Sequence, residues 1–128
     1  MSPSLTPYED PRALAKDLSG LLLIDGTLRA AATGGTFDVV NPATGAVIAQ
    51  AADGREADVE AAVASAKTAQ AAWKRVKARD RGKLVAECGR RLQAHVEELG
   101  LLTALETGKA LRTESRVEAS VLADAFIY

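Results

Sequence analysis

The sequence contains one cysteine and one histidine, the residue types most often found in nucleophilic and metal sites. Cys88 lies on an apolar helical stripe between Leu84 and Leu92, whereas a reactive thiolate needs partial exposure and a nearby base or positive dipole. We therefore expect Cys88 to be a small core residue. His95 is expected at the surface or between two helices. This pair cannot supply a structural zinc site, so the sequence predicts neither a catalytic residue nor a zinc centre.

The glycines and the basic residues do not form a phosphate-binding motif. Neither GxGxxG nor GxxxxGK[ST] occurs, and the Thr-Gly-Gly-Thr run at residues 33–36 precedes a strand rather than a helix. Residues 74–83 carry six basic side chains and one acid, with no interleaved aromatic residue. We predict that residues 74–83 form a solvated surface between two helices.

The composition is that of an ordinary globular protein. Of 128 residues, 48% are hydrophobic and 26% charged, and the formal net charge is -1. This charge balance argues against a nucleic-acid or anionic-membrane partner. The apolar run at residues 21–24 is too short to span a bilayer, and the first residues do not resemble a secretory signal. We expect a soluble, cytoplasmic protein.

The sequence of the first part of the chain predicts an N-terminal arm at residues 1–19 and a β unit at residues 20–52. Asp25-Gly26 is a strong hairpin signal because a type I′ turn requires positive φ at both central positions. The Asn-Pro-Ala-Thr-Gly sequence at residues 41–45 predicts a second turn. The expected antiparallel strands are residues 21–24, 27–30, 37–40 and 47–51.

Residues 54–128 have the periodicity of about four helices. A break is expected near residues 94–97, and Gly108 is expected to cap the helix that precedes it. Two apolar stripes have helical spacing: Val59, Ala62, Val63, Ala66, Ala69 and Trp73, then Leu84, Cys88, Leu92, Val96 and Leu99.

The last segment, residues 117–128, is apolar around most of its circumference. A helix of this kind is expected to be covered on several sides, yet the sequence given stops there without a polar tail. We therefore expect either the remainder of a larger enzyme or a second subunit to cover it.

The ordered set of motifs resembles the opening of the aldehyde dehydrogenase superfamily. The resemblance covers the chain from about Leu21 to its end. The motifs are residues 23–26, 37–48 and 58–63, then Ala66 and Trp73, then residues 81–92, 105–111 and 126–128.

The resemblance implies an α/β fold in which residues 20–128 form the N-terminal part of a cofactor-binding domain. Such enzymes oxidise an aldehyde to a carboxylic acid through a cysteine thiohemiacetal, with hydride passing to NAD or NADP. The family's catalytic cysteine, glutamate base, oxyanion-stabilising asparagine and cofactor site all follow the equivalent of Tyr128. Cys88 matches none of these positions. We therefore expect no cofactor to bind this chain alone, and no activity from it.

The resemblance also implies two residue roles. Some relatives hold a structural monovalent cation through carbonyls and an acid that match Val39, Val40 and Glu106, and hard oxygen ligands suit such an ion. The simpler interpretation is that Glu106 is a solvated acid at a helix end. The last helix lines the aldehyde tunnel in relatives, which points to Val121, although core packing is the expectation for this chain.

Two hypotheses remain open. In the first, the chain is the N-terminal segment of an aldehyde dehydrogenase that forms a homo-oligomer. In the second, it is a free-standing, non-catalytic helical module that binds a partner or self-associates through its apolar helix.

Overall fold

Two antiparallel hairpins are followed by a group of helices in the computed structural model, which describes residues 11–127. Residues 54–127 contain four α-helices, so the predicted fold class, α/β with a small hairpin unit followed by helices, is confirmed. The elements are α1 (Pro11–Asp17), β1 (Leu21–Ile24), β2 (Thr27–Ala30), β3 (Thr36–Val40), β4 (Val47–Ala52), α2 (Glu56–Trp73), α3 (Ala78–Gln93), α4 (Val96–Thr107) and α5 (Arg116–Ile127). A π-helical turn, Leu111–Ser115, precedes α5.

The hairpin turns form where local chemistry predicts them. Asp25 and Gly26 have φ values of 54° and 69°, the positive pair that a type I′ turn requires. The β3–β4 turn ends at Gly45, with φ 71°. The strand pairs β1–β2 and β3–β4 form two separate two-stranded sheets.

The segment assigned to the N-terminal arm contains α1, while residues 1–10 lie outside the described part of the chain. α1 contacts β4 and α4. Just after it, Gly20 N–H donates to the Gln50 carbonyl at 2.8 Å, and Gln50 N–H donates to Ser19 Oγ at 2.9 Å. These bonds attach the chain that leaves α1 to the edge of β4.

A buried carboxylate fixes the start of α2. Asp58, only 3% exposed, accepts hydrogen bonds from Ala32 N–H at 2.9 Å and Arg55 N–H at 3.1 Å. The Arg29 guanidinium lies 3.7 Å from the same side chain. A carboxylate near a helix N-terminus is favoured by the helix dipole, and here it also joins α2 to the end of the first hairpin.

Glycines allow α5 to lie close to both α3 and α4. A Cβ atom on Gly89 of α3 would collide with Ile127 and would lie 2.8 Å from the Ala123 carbonyl oxygen. On α4, a Cβ atom on Gly100 would lie 3.1 Å from Arg116 Cα. The core between these helices is therefore built largely from small residues, including the buried Ala119 and Ala123.

The predicted buried stripe on α3 is wrong in its first half. Leu84 is 55% exposed and Cys88 is also exposed, whereas Gly89 is the buried residue of α3. α5 packs closely against the face of α3 that carries Gly89. Leu84 and Cys88 lie on another face of this helix. Further along the stripe, Val96 is buried as expected.

Two helices keep apolar faces uncovered in the described structure. α2 contacts the other elements mainly through β1, and Trp73 on its apolar stripe is 40% exposed. α5 exposes Val117, Val121 and Leu122. Across residues 11–127, no helix is long and apolar enough to cross a membrane.

Replacing Gly89 with alanine tests the close approach of α3 and α5. We expect Gly89→Ala to lower the free energy of unfolding by about 1–3 kcal/mol, because the added methyl group overpacks the contact with α5. Gly82→Ala is the matched control, since a Cβ on Gly82 in the same helix meets nothing within 4 Å. We expect it to raise stability by about 0.5–1 kcal/mol. Urea unfolding measures both changes, and equal stability of the two variants would contradict the packing described.

Candidate functional site

The end of β3 leads into a well-ordered turn. Asn41 N–H donates to the Ala46 carbonyl at 2.9 Å, and Asn41 Oδ1 accepts from Ala43 N–H at 2.9 Å. A β-bulge interrupts the strand register between Val39 and Val40. A bulge disrupts the regular ladder of hydrogen bonds. The backbone groups of these two residues therefore depart from regular strand pairing.

The C-terminal end of α4 lies beside this turn. Gly108 adopts φ 73° and donates its N–H to the Ala104 carbonyl at 3.0 Å, the left-handed cap that the sequence predicts. A Cβ atom on Gly108 would lie 2.9 Å from Pro42 Cγ. The proline ring therefore packs directly on the cap, and it brings the segment after Val40 close to the end of α4.

Glu106 lies two residues before Gly108, in the last turn of α4. Its side chain is exposed, and it forms no hydrogen bond or ion pair with the residues that the structure describes. The end of a helix carries partial negative charge and unsatisfied carbonyl groups. A free carboxylate at such an end has the hard oxygen chemistry that a monovalent cation requires. Cation binding by these three residues stays a prediction.

Val121 lies on the outer side of α5. It is 60% exposed, so the expectation that it packs in the core of this chain is wrong. The reason is that α5 turns its small residues, Ala119 and Ala123, toward its neighbours. Val121 is therefore accessible to another surface or a ligand, and its assignment to a substrate tunnel stays a prediction.

Two ion pairs fix the connection between α4 and α5. Lys109 Nζ donates to Glu118 Oε1 at 2.5 Å. The Nε and Nη2 groups of Arg116 both donate to Glu97 Oε2, at 2.9 and 2.6 Å. The hydrogen bond to Glu118 raises the pKa of Lys109, and the negative charges of Glu118 and Glu114 act in the same direction. Neither pair could be predicted from the sequence, because neither has the short spacing that marks an ion pair within one helix.

The two residues considered first for chemistry are not brought together into a site. Cys88 Sγ donates to the Leu84 carbonyl of its own helix at 3.5 Å. His95 Nδ1 lies 2.7 Å from the buried carboxylate of Glu98, at the junction of α3 and α4. Within residues 11–127, no group of three or more His, Cys, Asp or Glu side chains could hold a metal ion.

The Lys109–Glu118 pair predicts a pH dependence. Because the folded-state pKa of Lys109 is raised, its contribution to stability is complete below the unfolded-state pKa and is lost as pH rises through the folded-state pKa. We expect Glu118→Gln to lower the Lys109 pKa, measured by NMR titration of the side-chain ammonium group. Asp124→Asn removes an acid of the same helix that does not bind Lys109, and it should leave that pKa unchanged. An unchanged Lys109 pKa in Glu118→Gln would contradict the pairing.

Both the sequence and the structure of this chain are similar to those of known proteins. Residues 29–128 match the sequence model of the aldehyde dehydrogenase family. The chain is similar to HpcC from Thermus thermophilus, with 30% identity, TM-score 0.85, and coverage of 91% of this chain and 22% of that one.

Two further solved structures are similar over the same region. Betaine aldehyde dehydrogenase from Staphylococcus aureus, solved in complex with NAD+, is 32% identical with TM-score 0.84, and the match covers 92% of this chain and 24% of that one. A putative aldehyde dehydrogenase from Burkholderia cenocepacia is 37% identical with TM-score 0.81, at coverages of 87% and 22%. The chain thus spans less than a quarter of these structures. It belongs to the aldehyde dehydrogenase family.

Proposed function

We propose that this chain is the N-terminal segment of an NAD(P)-dependent aldehyde dehydrogenase that oxidises an aldehyde to a carboxylic acid. The observation that carries the proposal is the similarity of nearly the whole described fold to the betaine aldehyde dehydrogenase that was solved with NAD+. The match covers 24% of that chain. In this proposal the segment supplies peripheral strands and the first helices around a cofactor domain, within a cytoplasmic homo-oligomer.

The chemistry itself is assigned to residues outside this segment. Oxidation of an aldehyde through a thiohemiacetal needs a thiolate whose proton has been removed by a base. Among the described residues the hydrogen-bond partner of the Cys88 sulfur is the Leu84 carbonyl of its own helix, which is not a base. We therefore assign no catalytic and no cofactor-binding residue to this chain, and we expect the isolated segment to be inactive.

Two surfaces of the segment are assigned supporting roles. Glu106 and the backbone carbonyls of Val39 and Val40 are proposed to hold a monovalent cation, together with a further ligand from the rest of the enzyme. The contact of Pro42 with Gly108 supports this proposal because it places the two chain segments side by side. Val121 is proposed to line the aldehyde tunnel, and its exposure on α5 is consistent with that role.

The proposal is tested on the protein that cells make, captured with an antibody against this segment. We expect an intact mass several-fold above 13.4 kDa, and NADH or NADPH formation that depends on added aldehyde. In the same assay, Val121→Trp should raise the KM for the aldehyde and leave the KM for the nucleotide unchanged. The isolated 128-residue chain is the matched negative control. A native mass near 13.4 kDa without aldehyde-dependent activity would overturn the proposal.

The cation role of Glu106 is tested separately, through thermal stability. In the longer protein, potassium chloride at constant ionic strength should raise Tm relative to choline chloride, because an ion that binds only the folded state stabilises it. Glu106→Gln should abolish this rise. Glu60→Gln, which removes another exposed acid without a partner in the described structure, should retain it. Retention of the full rise in Glu106→Gln would exclude Glu106 as a ligand.

A second candidate function is supported by the uncovered apolar faces of α2 and α5. A free-standing module could use such faces to bind a partner or to self-associate. The intact mass of the native protein separates the two candidates, since this alternative requires a mature product near 13.4 kDa.

A further inference from the structure

α5 meets its neighbours through small residues. Its buried positions are Ala119 and Ala123, and Gly89 of α3 and Gly100 of α4 lie against it. Packed helices keep a fixed orientation when the ridges of side chains on one fit the grooves of the other. Glycines and methyl groups form only shallow ridges. This contact therefore allows a close approach but leaves the rotation of α5 about its own axis to other interactions.

Two ion pairs at the beginning of α5 restrict this rotation. Arg116 binds Glu97, near the start of α4, through two hydrogen bonds of 2.9 and 2.6 Å. Lys109, which follows the end of α4, donates to Glu118 at 2.5 Å. At 100° per residue, the side chains of Arg116 and Glu118 leave α5 in directions about 160° apart. A rotation of α5 in either direction therefore pulls at least one pair apart.

The position of Val121 depends on the same rotation. Val121 follows Glu118 by three residues, a spacing that makes two side chains neighbours on the surface of a helix. It is 60% exposed, on the side of α5 away from the buried alanines. Side-chain ends lie about 5–6 Å from a helix axis, so a rotation of about 20° would displace the Val121 side chain by about 2 Å. Such a displacement would change the fit of a ligand that lies against it.

We propose that the two ion pairs position Val121 for the aldehyde in the longer enzyme. The inference rests on the proposed function, because it requires the tunnel role of Val121. The four charged residues act through the orientation of α5 and not by contact with the substrate. Their side chains are between 40% and 68% exposed, and exposed ion pairs contribute little to stability. Loss of one pair should therefore leave the enzyme folded and change how the aldehyde fits.

The test measures KM and kcat in the longer enzyme for unbranched aldehydes of increasing length, from acetaldehyde to octanal. We expect Glu118→Gln to raise KM for the longer aldehydes roughly three- to tenfold, a smaller effect than misplacement at the reacting atoms would have. The KM for acetaldehyde, the KM for the nucleotide and kcat should stay unchanged, because short aldehydes and the nucleotide do not lie against Val121. A general loss of structure would instead lower kcat for every aldehyde.

A second variant separates positioning from direct contact. Glu97→Gln breaks the pair on the opposite side of α5, and it should give the same selective rise in KM. Asp80→Asn is the matched control, since it removes an exposed pair with Lys83 within α3 and should leave every KM unchanged. A rise in Glu118→Gln without one in Glu97→Gln would mean that Glu118 contacts the aldehyde directly, which contradicts the positioning role.

The outcomes for the two proposals can be told apart. Absence of aldehyde-dependent activity in the wild-type enzyme would reject the proposed function, and this inference with it. An active wild-type enzyme whose KM values are the same as those of Glu118→Gln and Glu97→Gln would reject only the positioning of Val121.

Discussion

The carboxylate of Asp58 connects the β hairpins with the helices. Burial of a charged carboxylate is costly unless hydrogen bonds compensate, and here two backbone N–H groups donate to it while Arg29 lies nearby. One donor belongs to the start of α2 and the other to the chain that follows β2. Because α2 has few other contacts with the described structure, its direction depends on this carboxylate.

Packing in the helical part depends on small residues. Gly89 and Gly100 admit α5 so closely that a methyl group at either position would meet a neighbouring chain segment. The larger apolar side chains are consequently left on the outer surfaces, where Leu84 and Val121 are more than half exposed. The small core between these helices and the exposure of Leu84 and Val121 therefore have the same origin, the close approach of α5.

The elements were predictable from the sequence wherever local chemistry determines them. Asp25-Gly26 requires positive φ whatever its surroundings, and Gly108 ends α4 in the same way. The buried face of α3 was not predictable, because Gly89 becomes a contact only when a segment far along the chain returns to it. The proximity of Pro42 and Gly108 depends on tertiary folding as well, and it links the two halves of the proposed cation site. The resemblance, rather than any spacing, suggested that link.

The π-helical turn before α5 has a consequence for insertions and deletions in this region. Ser115 N–H reaches the Ala110 carbonyl at 3.1 Å, so this turn holds one residue more than an α-helical turn. Loss of a single residue there would restore ordinary helical winding and rotate the rest of α5 by about 100°. Ala123 would then leave Gly89, and the buried positions of Ala119 and Ala123 would be taken by other side chains. The number of residues in this turn is therefore constrained as strongly as the residue types in the helices. In homologous chains we expect the turn to differ in residue type more readily than in length.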